Sequence, residues 1–131
     1  MSPIQMSKVE SAMRTVLAFK EAFNRHDVPG MVQLISQDCI FEDHAPAPDG
    51  SVYSGRQAVT RFWEGFFSQA ADVRMTVEDI FGYGERCILR WKLEWGENHL
   101  RGVDIFQVKD DLICERFSYA KGDMKPTEGA A

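Results

Sequence analysis

The chain has 131 residues, 44% of them hydrophobic and 27% charged, which suits one folded domain with its own core. A net charge of −5 without any Lys/Arg cluster argues against a nucleic-acid partner. No apolar run nears the ~20 residues of a membrane span, and the start lacks signal-peptide features. Cys39, Cys87 and Cys114, odd in number and far apart, read as reduced thiols of a cytoplasmic protein.

Ser7-Lys8-Val9-Glu10 has the form of a capping box, and Val9, Met13, Val16, Phe19 and Phe23 follow at helical spacing. This predicts a long amphipathic helix ending near Asn24–His26, with Lys8, Arg14, Lys20 and Glu21 on its wetter faces. Asp27 reads as a new N-cap, with Pro29 in the first turn of a shorter helix carrying Met31, Val32, Leu34 and Ile35. Cys39–Phe41 reads as a short accessory strand that runs into Glu42-Asp43-His44 and a Pro- and Gly-broken loop over 45–50. Ser54-Gly55-Arg56-Gln57 reads as a second capping box. It opens a third helix whose Val59, Phe62, Trp63, Phe66 and Phe67 form an aromatic stripe wide enough to lie on a sheet.

Four strands follow. Val73–Phe81 alternates apolar and polar residues, and Gly82-Tyr83-Gly84-Glu85 turns the chain. Cys87, Leu89, Trp91, Leu93 and Trp95 share one face of the next strand. The strand Leu100–Val108 is apolar on both faces, and Lys109-Asp110-Asp111 turns into Leu112–Tyr119. The pattern predicts a single α+β domain over 1–131, three helices on a strongly curved antiparallel sheet, with 122–131 a loose tail. The 100–108 strand, apolar on both faces, needs cover on its outer side as well, for which a homodimer contact is expected, with the chain's own tail as the alternative.

Two carboxylates stand out. Strand parity puts Asp104 in one row with Gly102, Phe106 and Val108, where an acid must either find a donor or keep its proton. A proton-holding acid is a hydrogen-bond donor; the plainer reading is a pair with Arg101 or Arg116. Asp43 ends the short strand at the rim of a prospective pocket. There a carboxylate can move a proton beside a carbonyl, or merely initiate the turn. His44 reads as an assisting acid or base, or as a rim residue. His26 and His99 lack metal-ligand spacing, so no metal is expected. Neither a phosphate loop nor a nucleophile signature is present.

The order and spacing of Asp27-Val28, Gln37 to Asp43, Tyr53-Ser54-Gly55-Arg56, Phe62-Trp63 and Gly102-Val103-Asp104-Ile105-Phe106 resemble the NTF2-like superfamily. Within it the chain resembles SnoaL-like and ketosteroid-isomerase-like proteins, from about Val9 to Lys121. The resemblance implies a cone-shaped fold with a pocket for a small, largely apolar or carbonyl-containing molecule. In ketosteroid isomerases the position similar to Asp43 carries the proton-shuttling base, and that similar to Asp104 a protonated acid of the oxyanion hole. Their third partner is a tyrosine of the first helix, where this chain has Phe19. Tyr53, Tyr119 and Trp63 are the replacement donors to consider.

A polyketide-cyclase-like site needs only one acid/base aspartate, a role for Asp104. An epoxide-hydrolase-like site needs an Asp-Arg-Asp constellation, and Arg101 and Asp104 would face opposite sides of one strand. The expectation is therefore cofactor-independent acid/base chemistry by Asp43 and Asp104, with Phe19, His44, Tyr53, Trp63, Phe106 and Tyr119 around the ligand. The alternative is a non-catalytic ligand-binding or dimeric assembly module.

Overall fold

The structure, a computed structural model, describes residues 2–122 and 125–127. Helix α1 spans Pro3–Asn24 and begins earlier than Ser7. Ser2 and Gln5 form the actual capping box, with Gln5 N–H donating to Ser2 Oγ (3.2 Å) and Ser2 N–H to Gln5 Oε1 (3.0 Å). Pro3 in the first turn costs nothing, because its missing N–H would have no helical partner. The buried face of α1 carries Ala12, Thr15, Val16, Phe19, Lys20, Ala22 and Phe23. Lys20 was expected on a wet face, yet it is 3% exposed.

Asp27 caps α2 (Val28–Val32) as expected, accepting from Gly30 N–H. The helix stops at Val32, because Ile35 already begins strand β1 (Ile35–Asp43). Strand β1 is no accessory: it pairs antiparallel with β2 (Ser51–Ser54) and parallel with β6 (Leu112–Ala120). Strand β2 has no counterpart in the sequence reading, since its four residues are too short to show alternation. Ser54 is its last residue, paired with Ile40, so the expected Ser54 box does not form. Gly55, at φ 90°, is the cap residue of α3 (Arg56–Gln69), without a side-chain capping bond.

Strands β3 (Arg74–Tyr83), β4 (Arg86–Trp95), β5 (Asn98–Lys109) and β6 form the expected antiparallel meander. The β5–β6 hairpin turns at Asp110 and Asp111, both with positive φ, the geometry that matches strand twist. The full sheet has six strands in the order β2-β1-β6-β5-β4-β3, curved and unclosed, with β2 and β3 at its edges. Register shifts at Glu78 in β3 and at Cys114 in β6, each left without a partner on the neighbouring strand, mark β-bulges, which add bend and twist.

Helix α1 lies across the inner face, against β3, β4 and β5. Asn24 stitches its end to β3, bonding the Met75 carbonyl (2.9 Å) and N–H (2.8 Å). The inner layer buries Cys87, Leu89, Trp91, Leu93, Leu100, Phe106 and Ile113, with α1 over β3–β6 and α3 over β1 and β2. On the outer face Phe81, Ile88, Ile105 and Phe117 stand in register across four strands. Of the tail expected to be loose, 123–124 and 128–131 lie outside the described residues. Pro126 is buried, so this part of the tail packs against the body.

Candidate functional site

Three elements converge on Asp104. Strand β5 places it on the inner face, between Leu89 and Ser118, fully buried at 0% exposure. Lys20 Nζ reaches Asp104 Oδ2 from α1 (3.2 Å), and Arg116 Nε reaches the same oxygen from β6 (3.0 Å). Trp91 Nε1–H donates to Oδ1 (2.9 Å). Gly102 makes that bond possible: a Cβ there would overlap the Trp91 indole, with which Gly102 is paired across β4 and β5.

Burial alone would push the Asp104 carboxyl upward. The charges of Arg116 and Lys20, with hydrogen bonds from Ser118 and Trp91, outweigh it and hold the group below the usual carboxylate range. Asp104 is thus ionised, and the expected proton-holding acid gives way to a buried anion. The same burial lowers the Lys20 ammonium to about 8, against the opposing pull of Asp104.

A cavity of about 570 Å³ lies beside this cluster, between α3 and the inner face. Phe23, Phe62, Trp63, Phe66, Met75, Trp91 and Leu93 give it apolar walls, with Arg61, Lys125 and Thr127 also lining it. Its polar wall is made by Asp43, His44, Ser51, Tyr53 and Arg116. Asp43 stands at the end of β1. Its Oδ2 accepts from Ala45 N–H (3.3 Å), and its Oδ1 lies 4.0 Å from Arg116 Nη1 and 3.7 Å from His44 Nδ1. Gly50 lets the loop fold back on this residue, since a Cβ there would strike the Asp43 carbonyl.

Arg116 is 4% exposed, stacked between the rings of Phe41 and Trp63 at 5.7 and 5.4 Å. Its Nε is fixed by Asp104, so its orientation on the cavity wall is set from behind. Trp63 is 3% exposed, and among the described residues its buried indole N–H has no hydrogen-bond partner. Among the described residues no group of His, Cys, Asp or Glu could hold a metal ion, and no helix is long and apolar enough to cross a membrane.

A profile of the SnoaL-like domain matches residues 16–116. The chain belongs to the SnoaL-like family. An NTF2-like protein of unknown function from Mesorhizobium loti is 33% identical, with a TM-score of 0.79 over 88% of this chain and 94% of that one. A putative ketosteroid isomerase from Kribbella flavida superposes with a TM-score of 0.78 at 19% identity, covering 92% and 85% of the two chains. A putative SnoaL-like polyketide cyclase from a Jannaschia species gives 0.75 at 13%, covering 92% and 90%. At those identities the last two show the shared fold alone. No curated protein matches the chain.

In this SnoaL-like chain, Asp43, His44, Tyr53 and Trp63 line the cavity together. Asp104 does not: Arg116 lines the wall and Asp104 sits behind it. Phe19 and Phe106 are fully buried core residues in edge-to-face contact, 6.3 Å between ring centres, and neither lines the cavity. Tyr119 is 55% exposed on the outer face, because Ser118 before it takes the inward position. Sequence reasoning named Arg116 as a possible partner of Asp104, which the structure bears out, but not as part of the cavity wall, and it missed Lys20 and Ser118. For Lys20 a signal existed: it follows Val16 by four residues and precedes Phe23 by three, which puts it on the apolar face.

Proposed function

We propose that the protein catalyses cofactor-independent proton transfer next to a carbonyl, an isomerase-like or cyclase-like reaction on a small, largely apolar molecule. The observation that carries this reading is Asp43 on the polar wall of a largely apolar cavity, beside an arginine whose buried partner holds it in place. Asp43 is the base that takes the proton. Arg116 faces the oxygen on which charge builds, the position where oriented donors contribute most. Asp104 acts through Arg116: it fixes the guanidinium and balances its charge.

The test is solvent deuterium exchange at the carbon beside the carbonyl, followed by NMR over a panel of cyclic ketones and enones. Asp43→Asn should slow the exchange of an accepted compound by about 10²–10⁴ and leave its binding nearly intact. An unchanged rate removes Asp43 from the chemistry.

A non-catalytic ligand-binding module is the second reading, favoured by Phe19 in place of a hydroxyl donor and by the ionised state of Asp104. Ligand binding without exchange at any panel member supports it. A third reading gains one observation: Arg116 completes an Asp43–Arg116–Asp104 constellation that Arg101 could not supply. Arg101 pairs with Glu78 on the surface, at 3.1 Å. An epoxide-hydrolase-like enzyme would instead hydrolyse small epoxides to diols, a separate assay, and show no exchange with the ketones and enones. For the outer face, the register of Phe81, Ile88, Ile105 and Phe117 supports self-association, with a second copy of the sheet as its cover.

A further inference from the structure

His44 is joined to the buried anion by one residue. Its Nδ1 lies 3.1 Å from Ser118 Oγ, and Ser118 stands directly across from Asp104 on the neighbouring strand. Ser118 has a single hydroxyl proton. The residue is buried opposite the Asp104 carboxylate, which can only accept, so the proton points to the carboxylate. The oxygen then offers only lone pairs to the imidazole, and Nδ1 must bring the hydrogen. Turning the hydroxyl toward His44 instead would set its lone pairs against a buried carboxylate.

The other charges around the ring agree. Asp43 Oδ1, 3.7 Å away, stands nearest the same nitrogen and favours a proton there. Arg116 and Lys125 also act on His44 and oppose a second proton, as burial does, while Asp43 and Asp104 pull the other way; the net pull is downward, toward the neutral ring. Among the described residues Nε2 makes no hydrogen bond.

We propose that Ser118, anchored by Asp104, fixes His44 as the Nδ1-protonated tautomer, leaving the Nε2 lone pair as a second proton acceptor of the cavity beside Asp43. Ser118 is a positioning residue: it acts through the imidazole. The part His44 plays in chemistry rests on the reading of this cavity as a proton-transfer site. There Nε2 bonds the proton as the C–H bond breaks. The released pair forms the C=C bond of an enolate, and the carbonyl π electrons move onto oxygen. The imidazolium so formed keeps Nδ1–H on Ser118, with the charges of Asp43 and Asp104 on that side. Two acceptors on one wall let a proton leave one carbon and return to another.

The tautomer can be read without any substrate. In ¹⁵N-labelled protein, long-range ¹H–¹⁵N correlation separates pyrrole-type from pyridine-type ring nitrogens, and His44→Gln identifies the His44 signals against those of His26 and His99. At neutral pH the expected pattern is pyrrole-type Nδ1 and pyridine-type Nε2. Ser118→Ala should shift His44 toward the Nε2–H form that dominates in free histidine, and Ser118→Thr, which keeps the hydroxyl, should restore the pattern. A wild-type pyrrole-type Nε2, or a Ser118→Ala spectrum identical to wild type, overturns the proposal. Because no turnover is measured, this outcome is independent of the deuterium-exchange result that decides the functional reading.

Discussion

Arg116 and Asp104 form a buried ion pair across β6 and β5, Nε to Oδ2 at 3.0 Å, with neither side chain more than 5% exposed. Lys20 shares the same oxygen, so one carboxylate balances two cations, with Asp43 4.0 Å from the far side of Arg116. Removing one member of such a set leaves charge stranded away from water, which costs far more than the set contributes when intact.

Asp104→Ala should therefore lower folding stability by about 3–5 kcal/mol, the usual range for breaking a buried pair. Urea unfolding at neutral pH measures this. A loss under about 1 kcal/mol, the range of exposed pairs, would mean that water reaches the cluster. Acid should act in the same direction. The folded carboxyl lies below its ordinary value, so its contribution is present above the unfolded pKa and is lost as pH falls toward the folded one.

Lys20 gives the opposite pH signature. Its folded pKa, about 8, lies below the ordinary 10.5, so between those values the unfolded chain binds more protons and Lys20's contribution to stability rises with pH. Lys20→Met has no such titration. The wild-type stability relative to Lys20→Met should climb from pH 8 to 10.5, and a flat or falling difference contradicts the assignment.

Gly102→Ala should cost about 1–3 kcal/mol, typical of overpacking, because its Cβ would meet the Trp91 ring and the Tyr119 carbonyl. The Trp91–Asp104 hydrogen bond should lengthen with it. Gly65→Ala is the control: nothing stands within 4 Å of that Cβ, and the position is inside α3. There the change should stabilise by about 0.5–1 kcal/mol. Thermal unfolding of the two variants should move in opposite directions.

Ile105→Glu should abolish self-association by placing a charge at the centre of the outer apolar row, opposite Ile88 and Phe117. Sedimentation velocity of the wild type and the variant decides. A wild type that stays monomeric at high concentration removes the second copy as the cover of this face.

Local pattern alone settled much of this protein. Period-two alternation in β4, helical spacing in α3, the Asp27 cap and the order of elements were enough for the α+β cone, because each depends on residues close in sequence. The rim position of Asp43 and His44 followed from the strand that ends there and the loop after it. What local pattern could not supply was the partner of each side chain. The parallel pairing of β1 with β6 brings Phe41 beside Arg116, and β6 faces β5 so that Ser118 meets Asp104. Those registers join residues far apart in the chain, and they decided between the two readings of Asp104, a neutral acid or a partner of Arg116, in favour of an anion behind an arginine. Parity says which face a residue takes. Only packing says whether a charge there finds its counterion before it finds a ligand, and that decides where protons reside.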